Sequence, residues 1–340
     1  MIQTNSEIYA LLQGEAASDI WERAAQNIDN LDLTSIIIDD QTDTTALQPV
    51  FSLGAVEVMH RGDVSALMGF VKCGKSAAAG LIAASILAPN PAAVIRTAAA
   101  PKGLKVLYLD TEQSRMYAKK HYLEITGGKT NPRLKYVATA EYSANERRLI
   151  LHKCLEAFKP DFVIIDGIAD LMADTNSNTE AAAVVQIVRS LASRYECHIL
   201  SVIHQNGKGG KARGHIGSEL WRKCESVLEC TKNGEGDYTS FEVTFPITRG
   251  KQPAQISFIR DENGQPQQNR TPAERLEMAL QEYDADKIDF AGAQKLCKEN
   301  AVPLGVHQLR SVLNDLCGKP EKEGKEGRAV WIIRKGVQNE

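Results

Sequence analysis

The sequence predicts an α/β fold in which a central, mostly parallel sheet is followed by a small C-terminal domain. Residues 69–76 read G-x-x-x-x-G-K-S between an apolar run and an alanine-rich run, which indicates strand, loop and helix. From about residue 51 to 260, short β-rich runs alternate with helical stretches, as in βαβ units. The runs 105–110 and 162–166 are almost wholly apolar, as strands buried on both faces are.

The elements define three regions: an N-terminal helix and linker (1–50), the α/β domain (51–262) and a small domain (271–340). The apolar stripe of the N-terminal helix packs either on its own domain or on a neighbouring copy. Strands are expected at 64–69, 105–110, 135–139, 162–166, 198–204, 226–231, 240–247 and 255–259. The last strands of this series are expected to form an antiparallel extension of the sheet. Helices are expected at 75–88, 143–158 and 179–195, the second starting with the capping box of Ser143 and Glu146.

The C-terminal region has the pattern of a winged helix. A polar, turn-rich stretch at 261–270 marks the boundary, and helical patterns follow at 272–283, 288–300 and 306–317. A charged hairpin containing glycine and a closing strand then end the chain. Leu309, Val312, Leu313 and Leu316 form the core stripe of the third helix.

Composition narrows the class of protein. The net charge of −3 over 340 residues means that any nucleic-acid contact must use local patches. Seven cysteines without a C-x-x-C pair argue against a disulfide framework or a zinc site and favour a reducing compartment. No signal-peptide pattern and no apolar run of spanning length is found, so we expect a cytoplasmic protein without membrane contact.

The glycine-rich motif is a P-loop, and it predicts ATP and Mg²⁺ as ligands. Its glycines let backbone N–H groups close around phosphate oxygens at the start of a helix. Lys75 is expected on the β- and γ-phosphates, and the Ser76 hydroxyl on Mg²⁺. The eight nucleotide-binding positions are Gly69, Phe70, Val71, Lys72, Cys73, Gly74, Lys75 and Ser76. The alternative interpretation is a plain glycine turn before a core helix. Within the P-loop, Cys73 could in addition have a redox-sensing role.

Two strand ends supply the carboxylates of the predicted site. The run 162–166 ends in Asp166, the pattern of a Walker B element that helps to hold Mg²⁺. The run 106–110 is followed by Glu112, which is expected to orient and deprotonate the attacking water. Asp110 is the alternative base, or else a buried group at the strand end.

A further strand, 198–204, leads to Gln205 and a basic, glycine-rich loop at 207–218. Gln205 is expected to contact the γ-phosphate and to report its loss. The loop suits a moving element that grips single-stranded DNA through Lys208, Lys211 and Arg213, although it could also be only a solvated basic loop.

The motif order GxxxxGKS, LYLDTEQ, FVIID, IHQN and RGHIGS resembles the RecA-like ATPase core over about residues 50–260. It is most similar to the plasmid RepA-type and DnaB-type ring helicases and their AAA_25-style relatives on mobile elements. The resemblance implies phosphate and Mg²⁺ roles for Lys75, Ser76 and Asp166, a catalytic Glu112 and a sensor Gln205. It also implies a homo-oligomer, a ring or hexamer, whose copies complete one another's sites.

Arg249 and Lys251 fit the place of such a trans-acting cation, which would stabilise transition-state charge in a neighbouring copy. The family often has K-x-R at this place, whereas this chain has the reverse order, so either residue could be the finger. Both could also be surface cations after a strand.

The winged helix predicts a second DNA contact. His307, Gln308 and Arg310 are left for the outer face of the third helix, as in a recognition helix that enters a major groove. The wing carries Lys322 and Lys325 but also acidic residues, so a protein-interaction module is the alternative.

Together these features predict an ATP-dependent DNA motor, a ring-forming replicative or mobile-element helicase. An ATP-switched DNA-binding regulator or replication initiator is the first alternative. An ATPase that remodels protein partners is the second.

Overall fold

A computed structural model describes residues 37–40, 48–87, 98–99, 101–205, 214–233, 240–260, 266–268, 272–300, 302, 304–323 and 328–333. The helix predicted for residues 1–30 lies outside these ranges. The chain divides into two compact units, Met1–Gln268 and Asn269–Glu340. Within the described ranges, no helix is long and apolar enough to cross a membrane.

The larger unit is built on a nine-stranded sheet with the order β12-β11-β10-β9-β3-β8-β7-β5-β6. The strands from β9 to β6 are parallel, and β10 to β12 extend the sheet antiparallel. Its strands are β3 (Val64–Gly69), β5 (Val106–Asp110), β6 (Leu134–Ala138), β7 (Phe162–Asp166), β8 (His198–His204), β9 (Ser226–Asn233), β10 (Ser240–Thr248), β11 (Ile256–Arg260) and β12 (Pro266–Gln268). A separate antiparallel sheet contains β1 (Pro49–Leu53), β2 (Val56–His60) and β4 (Ala98–Ala99).

The helices of this unit follow the parallel strands. They are α1 (Lys75–Leu87), α2 (Arg115–Thr126), α3 (Ala144–Phe158), a 3₁₀ turn (Ile168–Leu171), α4 (Asn178–Arg194) and α5 (Gly214–Lys223). The capping box predicted before α3 is present, because Ser143 and Glu146 each accept a hydrogen bond from the other's backbone.

Two apolar clusters cover the two faces of the central sheet, which explains why its strands lack polar alternation. Successive residues of β3 illustrate this. Leu67 faces a cluster with α1 and the β1–β2 hairpin, whereas Ala66 and Met68 face a cluster with α3, α4 and α5. The carboxyl ends of the parallel strands therefore meet at one edge of a rigid layer, where α/β sheets bind ligands.

The predicted strands and helices match the observed ones closely, but several elements differ. The strand β12 lies within the stretch 261–270 that was predicted as a turn-rich boundary, and the short strands β4 and β13 were not predicted. The helix α2 (Arg115–Thr126) was not predicted, because its sequence is mostly polar and it buries only Ala118, His121 and Ile125. The β1–β2 hairpin was not predicted either. Residues 214–218, expected to belong to the basic loop, are instead the first turns of α5, which buries Ile216 and Leu220 against the sheet.

The smaller unit contains helices α6 (Pro272–Gln281), α7 (Phe290–Glu299) and α8 (Val306–Cys317). An antiparallel sheet of order β13-β15-β14 joins β13 (Lys287–Asp289), β14 (Glu321–Glu323) and β15 (Arg328–Ile332). Leu309 and Leu313 are buried in its core with Val312 and Leu316 packed against it, as predicted for the third helix. Trp331 packs in the same core and donates a hydrogen bond to Asn314 over 2.9 Å.

Candidate functional site

The P-loop connects β3 to α1, and its tight path explains why glycines are needed. Gly74 has a φ of +93°, and a Cβ atom added there would lie 2.5 Å from the ring of Phe241. A Cβ atom on Gly69 would lie 2.5 Å from the carbonyl oxygen of Cys230. Lys72 also has a positive φ of 60°. The loop is therefore a closely packed cradle, and larger residues at 69 or 74 would push it off the sheet.

The loop forms one wall of a cavity of about 710 Å³, a size that suits a nucleotide. The cavity brings the P-loop together with the ends of β5, β7 and β8. Its lining includes Lys72, Gly74, Lys75, Ser76, Glu112, Asp166, Gly167, Asp170, His204, Gly214, Ile216 and Phe241.

Lys75, His204 and Glu112 form a chain of polar contacts across this cavity. The Lys75 ammonium lies 2.7 Å from the carbonyl oxygen of Phe70 and 3.0 Å from Nδ1 of His204. Because an ammonium only donates, Nδ1 accepts, and a neutral ring then carries its proton on Nε2. This nitrogen lies 3.3 Å from Oε1 of Glu112. His204 was not predicted, because strand alternation alone did not tell which of His204 and Gln205 faces the cavity.

Asp166 lies at the bottom of the cavity. It accepts a hydrogen bond of 2.7 Å from the hydroxyl of Tyr108, and it lines the cavity together with Ser76. Burial raises the pKa of Asp166 to about 6, although the hydroxyls of Tyr108 and Ser76 lower it. A buried carboxylate beside a serine hydroxyl is a donor set that fits Mg²⁺, which uses one or two carboxylates together with substrate phosphates. Ser76 and Asp166 would hold the ion.

Asp110, the alternative to Glu112, is buried and its oxygens are already engaged. Oδ1 accepts from the backbone N–H groups of Glu112 and Gln113, at 3.1 and 2.9 Å. Oδ2 accepts from the hydroxyl of Tyr136 over 2.7 Å. Asp110 therefore shapes the turn that presents Glu112, whose own side chain is 53% exposed and lines the cavity.

Gly167, directly after Asp166, is required by a contact that the sequence did not reveal. Its φ is +110°, and an added Cβ atom would lie 2.1 Å from Oγ1 of Thr111 and 2.9 Å from Oδ2 of Asp170. The Thr111 hydroxyl lies 2.7 Å from Asp170 and 2.8 Å from the carbonyl oxygen of Asp166. The threonine thus ties the end of β5 to the end of β7, and the glycine leaves room for it.

We predict that Gly167→Ala lowers the free energy of unfolding by about 2–5 kcal/mol, the sum of backbone strain and overpacking. Gly103→Ala is the matched control, because Gly103 has a φ of +87° but open space around it. Gly103→Ala should therefore lower the free energy of unfolding only by the cost of backbone strain, about 1–2 kcal/mol. Urea unfolding of both variants measures the difference, and equal losses would mean that the Thr111 contact is not tight.

Gln205 follows β8, but its side chain does not line the cavity. Its backbone N–H donates to the carbonyl oxygen of Gly69 over 2.9 Å, and its side-chain amide donates to Glu229 over 2.8 Å. The predicted contact of Gln205 with the γ-phosphate stays a prediction, and it requires the side chain to leave Glu229.

Arg249 and Lys251 are far from the P-loop of their own chain. Thr248 pairs with Ser226 at the start of β9, whereas Gly69 pairs with Cys230 further along the same strand. Arg249 donates to Asp63, just before β3, over 2.7 Å. Six residues of extended chain separate Asp63 from Gly69, or about 20 Å at ~3.3 Å per residue. Both cations line a second cavity of about 380 Å³ at this opposite edge of the sheet.

The predicted DNA-binding residues are distributed over both units. Lys208, Lys211, Arg213 and Lys325 lie outside the described residues. His307 and Gln308 are exposed on α8, and Lys322 is exposed on β14. Arg310 is exposed, and its guanidinium lies 4.8 Å from the centre of the Phe290 ring. These residues stay predicted contacts.

A parallel sheet with a P-loop after one strand, and with Glu112 and Asp166 at the ends of two others, defines a P-loop ATPase. The chain belongs to the AAA_25 family of AAA domains, which it matches over residues 18–211. ATP and Mg²⁺ are the ligands expected for this class.

Among solved structures, the chain is similar to a KaiC-like protein from the hyperthermophilic archaeon Pyrococcus horikoshii OT3. The two share 12% sequence identity with a TM-score of 0.46, over 66% of this chain and 98% of the other. No curated protein matches the chain.

Proposed function

We propose that this AAA_25 ATPase is an ATP-dependent DNA motor, a ring-forming replicative or mobile-element helicase that hydrolyses ATP between its copies. Its core would be RecA-like and its smaller unit a winged helix. One observation supports an ATP site that is formed by two copies of the chain. Arg249 and Lys251 lie at the edge of the sheet opposite the P-loop, so they can serve a nucleotide only in another copy.

Within one site, each side chain has a distinct task. Lys75 would neutralise phosphate charge, and Ser76 and Asp166 would hold the Mg²⁺, which would supply positive charge for phosphoryl transfer. Glu112 accepts the proton of the attacking water, because it is the exposed carboxylate of the cavity while Asp110 is engaged. A γ-phosphate would compete with His204 for the Lys75 ammonium, so His204 is a second candidate sensor beside Gln205.

We propose that ATP hydrolysis moves the basic segment between Gln205 and Gly214. Gln205 at its start is bonded to the backbone of Gly69, and Gly214 at its end lines the nucleotide cavity. We expect a change in phosphate occupancy to act on Gln205 and Gly214, which flank the segment that contains Lys208, Lys211 and Arg213. These cations would hold the backbone of single-stranded DNA, and such contacts weaken with salt.

The smaller unit supports a contact with duplex DNA. Its order of helix, strand, two helices and two paired strands supports the winged helix that we propose. The exposed His307, Gln308 and Arg310 lie on the helix that would enter a major groove. Lys322 and Lys325 would contact phosphates from the wing.

A forked duplex with a single-stranded tail tests this function. We expect strand separation that requires ATP and Mg²⁺, and ATP turnover that rises several-fold with single-stranded DNA. Lys75→Ala is the inactive control. Binding without unwinding would instead indicate an ATP-switched regulator or initiator. Filter binding that retains no DNA at low salt would exclude both DNA functions and leave remodelling of a protein partner.

A further inference from the structure

Two cysteines meet beneath the P-loop. Cys73 belongs to the loop, and Cys230 lies on β9, 157 residues further along the chain. The Cys230 thiol donates to the carbonyl oxygen of Cys73 over 3.2 Å, so the two cysteines are direct neighbours. Cys73 is 4% exposed and Cys230 is fully buried. The pair joins the phosphate-binding loop to the sheet.

The loop has little freedom around this pair. A Cβ atom on Gly69 would lie 2.4 Å from Sγ of Cys73 and 2.5 Å from the carbonyl oxygen of Cys230. Lys72 and Gly74, on either side of Cys73, both have positive φ angles, 60° and 93°. The position of Cys73 therefore helps to set the direction of the backbone N–H groups that would face phosphate.

We infer that Cys73 and Cys230 form an oxidisable dithiol in the nucleotide site, and that their disulfide holds the P-loop in a conformation that binds ATP poorly. The inference concerns ATP binding alone and does not depend on a DNA activity.

The environment of Cys73 favours oxidation of its thiol. The neighbouring Cys230 thiol and the positive charge of Lys75 together outweigh burial and lower the pKa of Cys73 below that of an ordinary thiol. By contrast, burial raises the pKa of Cys197 to about 12. The thiolate is the reactive form of a cysteine, so Cys73 should react before Cys197.

Hydrogen peroxide is the simplest oxidant that can convert the two thiols into a disulfide. The Cys73 thiolate attacks one oxygen of hydrogen peroxide, so that an S–O bond forms, the O–O bond breaks and hydroxide leaves. The Cys230 sulfur then attacks the Cys73 sulfur, an S–S bond forms, and the hydroxyl leaves as water with the Cys230 proton. In total, two thiols are oxidised to one disulfide and one peroxide is reduced to two waters.

The disulfide changes the loop in two ways. It fixes the two sulfur atoms about 2.0 Å apart, which draws Cys73 toward β9. It also removes the thiol proton that Cys230 donates to the Cys73 carbonyl. Because bound phosphate needs the undistorted loop, nucleotide and disulfide oppose each other, and ATP should protect the pair from oxidation.

The test treats the full chain with hydrogen peroxide, blocks the remaining thiols and maps disulfides by mass spectrometry. We expect a Cys73–Cys230 linkage, an affinity for a fluorescent ATP analogue that falls about 10-fold or more, recovery with a reductant, and slower linkage when ATP and Mg²⁺ are present.

Cys230→Ser keeps a hydroxyl donor for Cys73 and should lose little affinity at the same dose of peroxide. Cys197→Ser should respond as the unmodified protein does. An oxidised chain that carries the linkage but binds the analogue unchanged would overturn the inference. So would the absence of the linkage when other thiols are oxidised, or an equally fast loss of affinity in Cys230→Ser.

Discussion

Glu112→Gln is expected to lower the ATP turnover rate by about 10²–10⁴-fold, the usual contribution of a general base. Glutamine has nearly the shape of glutamate and can still contact His204, but it cannot accept the proton of the attacking water. Binding of a fluorescent ATP analogue should therefore change by less than a few-fold. Steady-state ATPase assays and nucleotide titration separate the two effects.

Asp110→Asn is the matched control for this prediction. The asparagine oxygen can still accept from the backbone of Glu112 and Gln113, so the turn should persist and turnover should fall only several-fold. The reverse result, an active Glu112→Gln chain and an inactive Asp110→Asn chain, would make Asp110 the base.

The sequence predicts the backbone of the site better than its side-chain contacts. The P-loop, Asp166 and Glu112 are identifiable because each follows an apolar run, and parallel strands bring their carboxyl ends to one edge. The pairing of Asp110 with Asp166 in neighbouring strands confirms that this edge is shared. What the pattern cannot give is which of two adjacent polar residues turns into the cavity.

His204 and Gln205 illustrate that limit. Both follow the same apolar strand, and only side-chain packing decides that His204 contacts Lys75 while Gln205 contacts Glu229. The need for glycine at position 167 is hidden for a similar reason, because the hydroxyl that would clash belongs to Thr111, 56 residues earlier. Such contacts depend on tertiary structure and leave no local signal in the chain.

The position of Arg249 is also a tertiary property. Its partner Asp63 is 186 residues away in sequence, at the start of the strand that ends in the P-loop. The guanidinium is 65% exposed, so this ion pair contributes little to stability and leaves the cation available to another copy. An exposed arginine held at the rim of the sheet is what a shared site needs.

Mixing two inactive variants tests the shared site most directly. Arg249→Ala should lower turnover by about 10³–10⁵-fold, the effect of a lost arginine finger, and Lys75→Ala should be inactive because its P-loop cannot hold the phosphates. In the proposed ring, the P-loop of an Arg249→Ala copy would meet the intact Arg249 of a Lys75→Ala copy. With equal, random mixing, about a quarter of the interfaces would be complete, so a similar share of activity should return.

The control mixes Lys75→Ala with Glu112→Gln, whose defects lie in the same half of the site. No interface between these two variants is complete, so the mixture should stay inactive. Light scattering must show that the variants assemble together in both mixtures.

If the Arg249→Ala mixture then stays inactive while the same mixture with Lys251→Ala recovers, Lys251 is the finger. If neither recovers, or if Arg249→Ala is active alone, the nucleotide site is completed within one chain.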